Sequence, residues 1–373
     1  IFTSPFESFA FSPPSLSISI GAAGAGGNSN IYSSSKVVAD VGQGTTITPL
    51  SGNTYGDLTV EATGQENIDA QIYGGSAGVG SVGVFLSETE RDGLVRAGIG
   101  SVGEEFKVAN LSVDADSNHD VTTHGYSVTI GGLAGSGETH TVIYKDGVAA
   151  CLGVDFATDT EGTCNGSDPT DASGNLQASG NVALSASADT TTSASDTGNP
   201  GTDQEGYNIG GLGVGIFQTN STYSPVVYTV ATALNLNAAG SLDFEAIAGG
   251  QSRSRALSGS GGIIAGDASI ANNTIQPQAT LIFDEFSVET TESAAVTSVL
   301  AQTNVNYDTY ADAIQASIAG GSGSKVNNTF GPTANIEWQG TSSLTTAGVI
   351  TVLANNTLER VPDPDDAKIS KNN

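Results

Sequence analysis

The chain has no methionine, one tryptophan, three histidines and two cysteines among 373 residues. Each scarcity excludes something. Aromatic residues are 6% and charged residues 13% of the chain. Large apolar side chains are therefore too few for a thick globular core, and a thin core of Val, Ile, Leu and Ala fits better. No run of 18 apolar residues is present, so there is no transmembrane helix. Lys and Arg number 11 against 39 Asp and Glu, for a formal charge of −28. That field repels nucleic acid and anionic lipid and keeps unassembled copies apart. The carboxylates are scattered, with no long acidic run. The few, separated cations argue against a lyase built on an Arg or Lys base. No nucleophile elbow points to Ser-His-Asp chemistry. No basic-then-apolar leader precedes Ile1, where synthesis cannot begin, so a processed, secreted product is expected.

What is abundant is glycine, 49 residues of it. The stretch GVGSVG at 78–83 has dinucleotide-fingerprint spacing, which requires a following helix whose N-terminus meets a pyrophosphate. Here SVGVFLSETERDG follows, strand-like and then turn-like. The glycine block also returns about six times, whereas a cofactor site occurs once. Its copies include YGGSAGVGSVGVFLS at 73, IGGLAGSGETHTVIY at 130 and IGGLGVGIFQTNSTY at 209. Anchored on Gly21, Gly74, Gly131, Gly210, Gly261 and Gly320, these recur every 50 to 60 residues or so, with one longer interval. Glycines of this kind let stacked backbones approach closely or turn a corner.

A second element alternates apolar and polar residues, the mark of a strand with one buried face. It reads GDLTVEA at 56, NLSVDAD at 110, GNVALSAS at 180, GSLDFEA at 240, EFSVETT at 285 and GVITVLA at 348. The expected inward residues are Leu58, Val60 and Ala62; Leu111, Val113 and Ala115; Val182, Leu184 and Ala186; Leu242, Phe244 and Ala246; Phe286 and Val288; Ile350 and Val352. A third element reads VVADVGQGTTI at 37, VRAGIGSVGEEF at 95, VAACLGVD at 148 and VVYTVATALNL at 226. One such unit cannot bury its own apolar face, but stacked copies can. The expected fold is all-β, a parallel β-helix (β-solenoid) of stacked Gly-rich rungs with very little helix. A period near 55 residues predicts two to three rungs per repeat, around 15 in all, over roughly 70 Å. The best helix candidate is 306–320, which reads equally as a strand pair.

The expected organisation is an extended aromatic arm at 1–14, a solenoid over 15–358 with a surface-loop insertion around 151–206, and a flexible acidic tail at 359–373. Phe2, Phe6, Phe9 and Phe11 crowd the arm, which would cap its own solenoid or, the preferred reading, join a neighbouring subunit. Cys151 and Cys164 are expected to close a short disulfide loop worth roughly 3 kcal/mol. Asn-x-Ser/Thr acceptors fall at Asn110, Asn165, Asn220, Asn272, Asn327 and Asn355. No catalytic or cofactor-binding residues are assigned, and no metal ligands. Asp114, Asp116, His119, Asp120 and His124 are close in sequence but match no metal motif, and read as a solvated loop. Calcium is the one cofactor the acidic turns at 87, 168 and 363 leave open, with diffuse counterion binding the default. Arg253 and Arg255 fit a salt bridge or a partner-contacting patch, and Trp338 fits packing.

The unit VADVGQGTTITPLSGNTYGDLTVEATGQENIDAQIYGGSAGVGSVGVFLS resembles the repeats of very large secreted bacterial adhesins, the leukotoxin-type filamentous adhesins related to filamentous haemagglutinin. The resemblance covers 37–145 well and 180–300 more loosely. It implies a right-handed parallel β-helix, secretion to the cell surface, and adhesive or structural work. The expected protein is a structural subunit or segment of an extracellular filament or adhesin, not an enzyme. Its partners would be copies of itself and surface or matrix glycans, with no nucleic acid and no membrane span. The alternatives are a polysaccharide-acting enzyme on the same scaffold and a viral fibre.

Overall fold

The computed structural model describes residues 2–11, 15–48, 55–102, 106–156, 164, 174–189 and 201–361, with backbone alone at 2–11 and 201–205. Every regular element among them is a strand, and every pairing is parallel. Rung one holds β1 (Phe2–Phe11), β2 (Ser15–Ile18), β3 (Ala22–Ser33) and β4 (Lys36–Val41). Rung two holds β5 (Leu58–Arg91), β6 (Leu94–Gly100) and β7 (Phe106–Val108). Rung three holds β8 (Leu111–Tyr144), β9 (Gly147–Val154) and β10 (Gly174–Ala178). Rung four holds β11 (Val182–Asp189), β12 (Gly201–Tyr223), β13 (Val226–Thr232) and β14 (Leu234–Ala238). Rung five holds β15 (Leu242–Ile275), β16 (Gln278–Asp284) and β17 (Ser287–Thr290). Rung six holds β18 (Val296–Phe330), β19 (Thr333–Gln339) and β20 (Ser343–Thr346), and β21 (Val349–Arg360) opens rung seven. The first long sheet runs β1-β5-β8-β11-β15-β18-β21, the second β4-β6-β9-β13-β16-β19, and the third β7-β10-β14-β17-β20. The fold is a parallel β-solenoid.

Three sheets enclose one core, and the core is built in columns. Val60, Val113, Leu184, Phe244 and Val299 stand in register, as do Ala62, Ala115, Ala186, Ala246 and Ala301. The alanines are all fully buried, which brings the facing walls close and keeps the core thin. The upper end is filled by aromatics: Phe283 stacks on Trp338 at 4.3 Å and meets Phe244 edge-on at 5.1 Å. One corner is a polar ladder. The Asn181 N–H donates to Asn110 Oδ1 at 2.8 Å, and the Ser241 N–H to Asn181 Oδ1 at 2.8 Å. These side chains satisfy backbone donors that no strand partner reaches.

One repeat forms one rung, which corrects the expectation of 15 rungs over roughly 70 Å. Leu58 pairs with Leu111, Leu111 with Val182, Val182 with Leu242, Leu242 with Thr297 and Thr297 with Ile350. Seven rungs at the usual strand spacing give a rise of about 29 Å. The reason lies in the glycine block, which does not end a rung. It folds the long strand back on itself, at 78–80 in rung two, so that residues 65–78 and 80–91 face each other as a two-layered fin projecting from the core. Side chains of the two limbs meet between the layers: Thr89 and Thr123 at 2.7 Å, Ser258 and Ser269 at 2.6 Å, Ser252 and Asn273 at 2.7 Å. Gly74 makes room for the Phe85 ring, which a Cβ there would meet at 2.0 Å. At the bend, successive backbones nearly touch; Gly262 has φ +151° and a Cβ would lie 1.6 Å from Gly210 O.

Other expectations shift with this geometry. Residues 306–320 lie within β18 and are strand. EFSVETT belongs to the third sheet, as Phe286 and β17. Its place in the first sheet is taken by VTSVLAQ, whose inward positions are Thr297, Val299 and Ala301. Ile350 and Val352 are half exposed, because β21 is the last strand of its sheet among the described residues. Phe2–Phe11 pairs parallel with β5 of its own chain, from Phe2 opposite Ala62 to Phe11 opposite Gln71. The side chains of Phe2, Phe6, Phe9 and Phe11 lie outside the described residues. The insertion placed around 151–206 holds solenoid strands within 151–154, 174–189 and 201–206, and 157–163, 165–173 and 190–200 lie outside the described residues. The solenoid also runs on past residue 358, to Arg360.

Gly262→Ala is expected to lower stability by about 2–4 kcal/mol, since backbone strain and a backbone clash coincide there. Gly323→Ala, where a Cβ meets nothing within 4 Å, should leave the melting temperature nearly unchanged. Thermal melts of the two variants check this.

Candidate functional site

The fin inverts the usual pattern of a surface strand. Its interior is lined by Ser, Thr, Asn, His and charged groups beside a smaller apolar set that includes Ile68, Ile72, Phe85, Val121 and Val142, while Val82, Val84 and Leu86 point outward. Where the fin joins the core, a buried cluster ties three rungs together. Arg91 is fully buried. Its guanidinium pairs with Glu66 and donates from Nε to Asp146 at 3.2 Å and from Nη1 to Ser35 at 2.6 Å. Asp146 also accepts from Ser117 at 2.7 Å, from the Gly93 N–H at 2.9 Å and from His119 Nε2 at 3.0 Å. Burial alone would push the Asp146 carboxyl up, but hydrogen bonds from His119 and Ser117 and the Arg91 charge outweigh it and hold the group at about 2. Beside it, Tyr144 and Tyr223 stack at 5.4 Å.

Farther along the fin, Ser87 Oγ lies 2.5 Å from His140 Nδ1, and His140 Nε2 lies 3.4 Å from Glu138. The residue types are those of a hydrolytic triad, but all three are buried inside the fin. A nucleophile must reach its substrate. Here Ser87 of rung two instead stitches to His140 of rung three, whose ring occupies space left by Gly125. The arrangement is a polar fastening between layers.

The other sequence candidates are placed as follows. Cys151 and Cys164 are joined by a disulfide, with Cα atoms 5.7 Å apart. Asn220, Asn272 and Asn327 stand in register as an amide ladder, Asn272 donating to Asn220 at 2.8 Å and Asn327 to Asn272 at 2.6 Å. A glycan on any of the three would break that ladder. Asn110 is engaged in the corner ladder, Asn355 is exposed, and Asn165 lies outside the described residues. Strand alternation splits the cluster at 114–124. His119 points inward, while Asp114, Asp116, Asp120 and His124 line the outer face. These residues are strand, not a solvated loop. No three His, Cys, Asp or Glu side chains converge on a cation position among the described residues. The turns at 168 and 363 lie outside the described residues, and SETERDG at 87 is the end of β5, carrying the buried Arg91. Arg253 and Arg255 share one half-buried face, Arg255 lying 5.6 Å from the Tyr310 ring. Trp338 packs on Phe283.

Sequence reasoning missed the Arg91 cluster and the apolar outer face of the fin. The only local signal was the alternation SVGVFLS, in which Ser81, Gly83, Phe85 and Ser87 turn inward and Val82, Val84 and Leu86 outward. No family model, curated protein or solved structure matches the chain.

Replacing Arg91 with Met leaves Glu66 and Asp146 as buried, uncompensated carboxylates, and is expected to cost about 3–5 kcal/mol in a denaturant titration. Asp120 behaves oppositely to Asp146. Burial raises its carboxyl to about 6, His119 lowering it only in part, and its Oδ1 is buried without a hydrogen-bond partner. A folded value above the unfolded one means that stability is lost as pH rises from about 4 through 6. Asp120→Asn should therefore raise the melting temperature at pH 7.5 and leave it unchanged at pH 4.

Proposed function

We propose that this chain is a structural subunit or segment of a secreted extracellular filament or adhesin. The observation that carries the reading is that the closest groupings of chemically active side chains are turned inward. Arg91, His119 and Asp146, and likewise Ser87, His140 and Glu138, are buried and join one rung to the next. Such fastenings, added to parallel backbone ladders through seven rungs, resist shear between layers. The disulfide fits an oxidising compartment. The −28 charge keeps free copies soluble. The likeness of the repeats to those of large secreted adhesins points the same way, and surface or matrix glycans remain the partners such a protein would meet.

One observation favours the enzyme reading. Glu61, Asp114 and Glu245 stand in one column on the outer face, with Ser185 between the last two. Burial, then neighbouring carboxylates, raise Asp114 and Glu245, as a general acid requires. The two readings part in a simple pair of assays. Negative-stain microscopy of the purified chain is expected to show elongated assemblies, and acidic polysaccharide incubated with it should yield no new reducing ends. Isolated particles together with steady release of reducing ends would reverse the assignment.

A further inference from the structure

The outer face of the second fin limb alternates in two directions at once. Along one column the register reads Gly24, Val82, Gly135, Val214, Gly266. The neighbouring column reads Gly26, Val84, Gly137, Ile216, Ala268. In these two columns rungs two and four raise β-branched ridges, and rungs one, three and five leave troughs floored by glycine or alanine; the column at the bend does not alternate in this way, carrying Leu133 and Ile264 on rungs three and five. The ridges are bare: Val82 is 57%, Val84 50%, Val214 60% and Ile216 57% exposed. They stand about 9.6 Å apart, two strand spacings, so one trough takes one row of branched side chains.

The same face carries no charge. From Gly80 to Leu86, and at the positions paired with them on rungs one, three, four and five, every outward residue is neutral. In a chain of net charge −28, this is a place where two copies can meet without bringing carboxylates together. Four outward positions on five rungs, all apolar or glycine except Asn28, Thr139 and Gln218, cover roughly 600 Å², at the top of the range for an exposed apolar patch on a monomer. Leu133, Leu212 and Ile264, in register with Gly80 at the bend, are among these positions. The area is near the roughly 800 Å² per partner of a standard interface.

We propose that this face pairs with the same face of a second copy of the chain. A two-fold axis along the strands, midway between rungs three and four, sets the ridge of rung four over the trough of rung three. It sets the ridge of rung two over the trough of rung five, and each column meets its own counterpart. The contact is isologous and dry, as between interdigitated sheets. It is lateral, fin against fin, and differs from stacking of solenoid ends. It deepens the assembly reading given above, and the two fail separately: fin pairing is read as a dimer in solution, end-to-end assembly as filament length.

Filling the trough tests it. At Gly135 and Gly137 the nearest atom to an added Cβ is a backbone oxygen at 3.9 Å, so Gly135→Val with Gly137→Val folds, which circular dichroism verifies. The double variant gains apolar surface but loses the trough. Sedimentation equilibrium is expected to show a wild-type dimer and a dissociation constant raised about ten-fold or more in the variant. Ile216→Lys, which puts a charge on the ridge, should weaken the dimer similarly. A wild-type chain that stays monomeric up to its solubility limit would overturn the proposal. So would a double variant that dimerises as well as or better than wild type, since apolar area alone would then drive the contact. A monomeric wild type that binds phosphatidylcholine vesicles, with the double variant binding more tightly, would assign the face to lipid.

Discussion

The structure rests on parallel, in-register stacking of like positions at the strand spacing. Each side chain sits directly above and below its counterparts in neighbouring rungs, so each column has to be self-compatible. Apolar columns satisfy this by contact, as in the alanine column through Ala62 and Ala301. Amide columns satisfy it by donating to the rung before and accepting from the rung after, as in Asn220, Asn272 and Asn327. Charged columns satisfy it least well, because like charges would stand about 4.8 Å apart. Glu61 and Asp114 are direct neighbours of this kind, but elsewhere the chain relieves the repulsion by interruption: Ser185 separates Asp114 from Glu245, and Ser187, paired with Asp116, donates to its Oδ1 at 2.6 Å.

The fin extends the same rule to a layer only two strands thick. With no room for a wide core, its interior uses many small hydroxyl and amide groups that hydrogen-bond across the gap beside a few aliphatic residues such as Ile68 and Val142, and glycine makes room for some rings, as Gly74 does for Phe85. Buried polar groups are costly unless paired, which is why the joint with the core gathers Arg91, Glu66, Asp146, His119 and Ser117 into one network. With most of the polar side turned inward, Val82, Val84, Val214 and Ile216 of the second limb are left on the outside.

Much of the core could be read in the sequence, because LTVEA, LSVDA, VALSA and LDFEA alternate cleanly and do point Val, Leu, Phe and Ala inward. The third repeat element was equally legible, its four copies falling in one sheet as β4, β6, β9 and β13. Where alternation is carried by polar residues, the reading failed. VTSVLAQ escaped notice because its first inward residue is Thr297, and EFSVETT took its place by having a better apolar pattern. The glycine spacing was read from Gly74, Gly261 and Gly320, whereas the register aligns Gly78, Gly131, Gly210 and Gly262. A short motif dense in glycine has several near-equal alignments. The Arg91 cluster had no local signature at all, since Glu66, His119 and Asp146 come from distant parts of two rungs. The rung count failed for a related reason: a bend inside a rung and a turn between rungs are both marked by glycine.

That last distinction is the centre of the account, and one distance reads it. Leu86 pairs with Thr139, Thr139 with Gln218, Gln218 with Ile270 and Ile270 with Lys325. Spin labels on cysteines at positions 86 and 325 are therefore four rungs apart, about 19 Å between backbones. A pulsed dipolar measurement giving a narrow distribution near that value, allowing for label length, is the predicted result. A separation of about 40 Å or more, as two to three rungs per repeat would require, would contradict it.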